Sequence, residues 1–129
     1  MGCDIHTVIE RKVTSPRINA RWVAVAIEHD ASRSRNYDRF AALAGVRGDG
    51  PEPRGLPDDA SDTALTLADD WGADGHSHSW LPLDEAAALY LATEFNPSEF
   101  VQKYPASEFF GVERPDDTDE YRLVFWFDN

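Results

Sequence analysis

The sequence predicts an α+β fold: a small antiparallel sheet, made of an N-terminal hairpin and a C-terminal strand, with two or three short helices and a long Gly/Pro-rich loop. Three observations carry this. The opening segment "DIHTVIERKV" alternates with a period of two. Later segments switch to helical spacing. Between them, "VRGDGPEPRGLPDDAS" holds glycine and proline at a density that no regular element survives. The length of 129 residues predicts a single domain, residues 1–129, with enough chain to bury a core.

In the first strand Ile5, Thr7 and Ile9 point one way, and Asp4, His6, Val8 and Glu10 the other. "TSPRINA" is a turn, with Pro16 and Asn19 as breakers. "RWVAVAIE" is a second strand that completes an antiparallel hairpin. In "SRNYDRFAALAG", Tyr37, Phe40, Leu43 and Ala44 fall at helical spacing. Ser34 or Asn36 can cap its start, and Gly45 sits where a helix-ending glycine belongs. Ser61 caps a short helix, "DTALTLADDWG", which is acidic in its first turn. "HSHSWL" is short and extended. "DEAAALYLATEF" is a helix rich in Ala and Leu, ended by Asn96-Pro97. "EFFGVERPDDTDE" is a charged connector, and "YRLVFWFD" is a central strand with aromatics on both faces.

The net charge of −12 is unevenly spread. Residues 1–54 hold nine Lys/Arg against seven Asp/Glu, whereas residues 55–129 hold three against seventeen. A phosphate-binding surface therefore draws on the first half. The acidic half disfavours bulk nucleic acid, which needs many cation–phosphate contacts. No apolar run approaches the roughly 20 residues that span a bilayer, and Asp4, His6 and Glu10 interrupt any leader-like segment. Cys3 is the only cysteine, which excludes an intrachain disulfide. A reduced, cytoplasmic setting without membrane partners is the expectation.

The candidate chemistry centres on "GHSHSWL", residues 75–81. In a regular strand His76, His78 and Trp80 share one face, while Ser77, Ser79 and Leu81 share the other. Asp4 and His6 repeat the two-apart geometry. If the two strands are neighbours, Asp4, His6, His76 and His78 form a three-nitrogen, one-oxygen set suited to zinc or another divalent metal. Metal-bound water could then attack a phosphoester or amide. The same residues also suit a metal-free pocket. His76, Ser77, His78 and Ser79 offer hydrogen bonds to phosphate, sugar or base edges. Trp71, Trp80 and Tyr37 can stack a base. Arg33, Arg35, Arg39, Arg47 and Arg54 cluster around the long loop, and arginine makes forked contacts with phosphate. Salt bridges to the acidic half are the plainer role for any one of them. A two-histidine phosphoesterase needs two His-x-Ser/Thr motifs on paired strands; "HSHS" supplies one and "HTV" fails the spacing. A Cys3–histidine nucleophilic pair is conceivable, beside a plain packing role for Cys3.

Taken together, "MGCDIH", "RNYDRFAALAGVRG", "PRGLPDDAS" and "DGHSHSWL" resemble a group of short bacteriophage proteins. These open with M-G-C-D-I-H and carry R-x-Y-x-x-F-A-x-L-A-x-V-R, R-G-L-P and H-S-x-S-W/Y segments. The resemblance covers residues 1–10 and 35–83. It implies a phage setting, in the cytoplasm of the infected host, and no particular reaction. In that setting three expectations stand in order. The first is binding of a nucleotide-like or phosphorylated small ligand such as a host immune signal, through Arg35, Tyr37, Arg47, Arg54, Trp71, His76, Ser77, His78, Ser79 and Trp80. The second is a metal-assisted phosphoesterase using Asp4, His6, His76 and His78. The third is an acidic blocker of a nucleic-acid-binding defence protein, acting through "RPDDTDE". A homodimer that completes the pocket suits so small a chain.

Overall fold

The structure is a computed structural model that describes residues 2–15, 17–27, 35–93 and 120–128. The expectations for Pro16, Arg33, Ser34, Asn96-Pro97 and the connector up to residue 119 lie outside the described residues. Within them the order is β1 (Asp4–Ser15), β2 (Ile18–Ile27), α1 (Tyr37–Ala44), α2 (Asp62–Trp71), a 3-10 turn (Gly72–Asp74), β3 (Gly75–Pro82), α3 (Leu83–Ala92) and β4 (Tyr121–Asp128). This is the α+β fold that the sequence predicts.

The four strands form one antiparallel sheet in the order β2-β1-β4-β3. β4 lies between β1 and β3, and seven of its eight residues are buried. That explains a strand with large apolar groups on both faces. Pairing of Ile5 with Phe127, Thr7 with Phe125 and Ile9 with Leu123 puts these residues on one face. There α1 and α3 cover them with Phe40, Leu43, Leu83, Ala86, Ala87 and Tyr90. Phe40 meets Phe127 edge-on at 5.1 Å. Each fully buried aromatic contributes on the order of 1.5–3 kcal/mol. The other face carries Val8, Val124 and Trp126, packed against Ala60, Ala64 and Ala68 as α2 lies over them.

Local signals set the helix ends. Asn36 Oδ1 accepts from Arg39 N–H at the start of α1, and Gly45 leaves it at φ +70°. Asn36 is buried, and its Nδ2 also donates to the Thr93 carbonyl at 2.6 Å, which ties α1 to the end of α3. Ser61 caps α2 in the same way. The run from Val46 to Ala60 forms turns and bends rather than a helix or strand. Gly50 lets it close on α1, because a Cβ there would collide with the Ala41 carbonyl. Further on, Arg54 N–H donates to Ser79 Oγ at 3.0 Å and Gly55 N–H to the His78 carbonyl at 2.8 Å. The loop thereby covers part of the outer edge of β3. Among the described residues no helix is long and apolar enough to cross a membrane.

Candidate ligand-binding groove

Register builds the site. Glu10 pairs with Arg122, Lys12 with Trp22, Trp80 with Val124 and Pro82 with Arg122. These side chains therefore stand near one another on the α2 side of the sheet, where α2 stops short of covering it. The gap is a groove of about 910 Å³. Trp22 and Trp80 line it, together with Arg54 and Leu56–Asp59 of the loop, the start of α3 at Asp84, and Glu120–Arg122. This volume lies in the range that holds small organic ligands.

A buried ion pair anchors the groove. Arg122 Nε donates to Glu10 Oε1 at 2.6 Å, and Nη1 to Asp59 Oδ1 at 2.9 Å. The second Glu10 oxygen accepts from Ser61 N–H at 2.6 Å. Glu10 is fully buried and Arg122 is 4% exposed, so both charges depend on these partners. The Arg122 guanidinium also lies 3.9 Å from the Trp22 ring centre and 5.8 Å from that of Trp80. Burial works against ionisation of Asp59, but the hydrogen bond and charge of Arg122 hold its carboxyl below the usual range. Arg54 differs. It is exposed, and its guanidinium rests over Trp80 at 4.9 Å. Lys12 faces Glu120 at 3.8 Å, an exposed and weak pairing.

Other predicted residues gather at the far end of the sheet. Arg35 Nε donates to Asp4 Oδ1 at 2.7 Å, and that hydrogen bond holds the Asp4 carboxyl below its usual range. Gly2 permits the approach, since a Cβ there would meet the Arg35 guanidinium. His6 Nε2 bonds Asp128 Oδ2, and the Trp71 ring covers His6 at 4.2 Å between centres. The Arg47 guanidinium lies 5.1 Å from the Tyr37 ring centre, and the Tyr37 hydroxyl accepts from Cys3 N–H. Cys3 is fully buried. Burial pushes its thiol up, against the opposing charge of Arg47, which disfavours a thiolate nucleophile.

One geometric condition is not met and one expectation is corrected. β1 and β3 are not neighbours, because β4 runs between them. His76 and His78 do not share a face. The ladder shifts between His76 and Ser79, and Ser77 takes φ +57°, so the strand bulges there. His76 pairs with Phe127 on the α1/α3 side and stacks on it at 6.2 Å. His78 stacks on Trp126 at 6.1 Å on the α2 side. Together with the Asp4–Arg35 pair, this removes the geometric basis for an Asp4, His6, His76 and His78 metal set. Among the described residues no group of three or more His, Cys, Asp or Glu side chains is placed to hold a metal.

The predicted ligand residues thus divide. Arg54 and Trp80 line the groove, and buried Ser79 anchors the loop beside it. Arg35, Tyr37, Arg47, Trp71, His76, Ser77 and His78 stand toward the other end. Sequence reasoning missed Trp22, Glu10, Asp59, Arg122 and Asp128. A tryptophan and two opposite charges in alternating strands were the available signal, but only the register brings them together. No family model, curated protein or solved structure matches the chain in comparison.

Proposed function

We propose that the protein binds a nucleotide-like small molecule in the groove, with the ligand's ring against Trp22 or Trp80 and its phosphate on Arg54. The observation that carries this reading is a groove of ligand size with two indoles and an exposed arginine on its walls. Indole stacking accepts any base, and a guanidinium matches phosphate geometry. The phage setting implied by the sequence resemblance adds a purpose: the protein sequesters a nucleotide immune signal of the host. The test incubates the protein with mixed purine nucleotides, isolates it by gel filtration, denatures it by heat and identifies what is released. The expected result is intact nucleotide. Retention should fall at least about fivefold in Trp22→Leu or Trp80→Leu, since stacking contributes roughly 1–3 kcal/mol per base. No retained nucleotide would overturn the reading.

The His6–Asp128 contact favours a second reading, acid–base hydrolysis at the far end of the sheet. An imidazole oriented by a carboxylate is the usual arrangement of a general base. Release of a hydrolysis product, abolished by His6→Ala, would support hydrolysis over binding.

A further inference from the structure

The charges around the groove narrow its ligand. Three bases line it, Lys12, Arg54 and Arg122, against four acids, Asp58, Asp59, Asp84 and Glu120. Arg122 is engaged by Glu10 and Asp59, and Lys12 faces Glu120. Among the described residues, Arg54 is the one base lining the groove for which no carboxylate partner is placed. A single anionic group fits that supply. A polyphosphate would bring further negative charge into a lining where four carboxylates already outnumber three bases. Sugar hydroxyls and a base amino group are donors, and the exposed Asp58 carboxylate is an acceptor for them.

Arg54 is also built to move without disturbing the loop. Its own N–H is held by Ser79 Oγ, and the next N–H by the His78 carbonyl. The side chain beyond this anchor is exposed and touches the Trp80 ring. A guanidinium over an indole occupies the place that a stacked base would take.

We infer that the ligand is a nucleoside monophosphate, and that Arg54 exchanges the Trp80 ring for the ligand's phosphate on binding. This rests on the nucleotide-binding reading above and deepens it. The base takes the indole, the phosphate takes the guanidinium, and each replaces a contact that the other gives up.

The experiment measures adenosine, AMP and ATP binding by calorimetry, with wild-type protein and Arg54→Gln. Wild type should bind AMP about tenfold or more tighter than adenosine, as one charge-assisted contact allows. It should bind ATP more weakly than AMP. In Arg54→Gln the affinities for AMP and adenosine should converge to within about twofold, with adenosine binding undiminished because the indole is uncovered. ATP binding as tight as AMP would overturn the inference, as would equal losses of adenosine and AMP in the variant. Those results would leave nucleotide binding itself standing. Failure of all three to bind wild type would overturn both.

Discussion

One residue decides how the histidines are arranged. Ser77 sits at φ +57°, a region that costs a non-glycine residue about 1–2 kcal/mol. Its hydroxyl lies 2.9 Å from His76 Nδ1, a contact that helps hold the bulge. A strict period of two puts His76 and His78 together, and the bulge separates them. Nothing in "GHSHSWL" marks this, because a serine in the left-handed region leaves no signature where a glycine would. The bulge also sets the state of His78. Burial, and the charge of nearby His76, pull its imidazole below the usual value. Its ring stacks on buried Trp126. The unfolded chain therefore takes up a proton at this residue before the folded protein does. Stability should fall as pH drops below the unfolded value of about 6.5 and through the lower folded value. Melting temperature measured from pH 7.5 to 5 should decline less steeply in His78→Gln than in wild type. Parallel curves would remove His78 from the account.

Elements differ in how far the sequence reveals them. The caps at Asn36, Ser61 and Gly45 are local chemistry, a side-chain oxygen or a missing Cβ within a turn of the helix. They are legible in short windows for that reason. The alternation in β1 is legible too, and Ile5, Thr7 and Ile9 face away from His6, Val8 and Glu10 as expected. Strand order is not local, so the separation of β1 from β3 by β4 could not be read. The fastening of the Gly/Pro-rich loop was equally hidden. It depends on Glu10, far away in sequence, accepting from Ser61 N–H and Arg122 at once. Glu10→Ala would leave the buried Arg122 Nε and the Ser61 N–H without their acceptor. It should cost about 3–5 kcal/mol in urea denaturation, the usual loss when one partner of a buried pair is removed. Asp59→Ala should cost under about 1 kcal/mol, because that carboxylate is 66% exposed. Similar losses for the two variants would show that the Glu10–Arg122 pair is not what fastens the loop.

Across the whole molecule, the sheet separates two kinds of environment on its α2 side. One end has the groove, with Trp22 and Trp80 beside Arg54 and Arg122. The other has His6, Asp128, Trp71 and Trp126. Motif residues therefore fall into two places, although in sequence they read as one site. The charge asymmetry of the chain is softened in the groove, where bases from β1, the loop and β4 meet acids from the loop, α3 and the residue before β4. The four tryptophans divide evenly between the ends, which makes them reporters of where a ligand sits. Among the described residues the buried Trp126 Nε1 has no hydrogen-bond partner, so its signal should stand apart from that of half-exposed Trp71. The most direct test is a titration of 15N-labelled protein with AMP, following the four indole N–H signals. The signals of Trp22 and Trp80 should shift and saturate while those of Trp71 and Trp126 stay fixed. Movement of Trp71 or Trp126 with Trp22 and Trp80 unchanged, or no movement at all, would contradict the groove as the binding site.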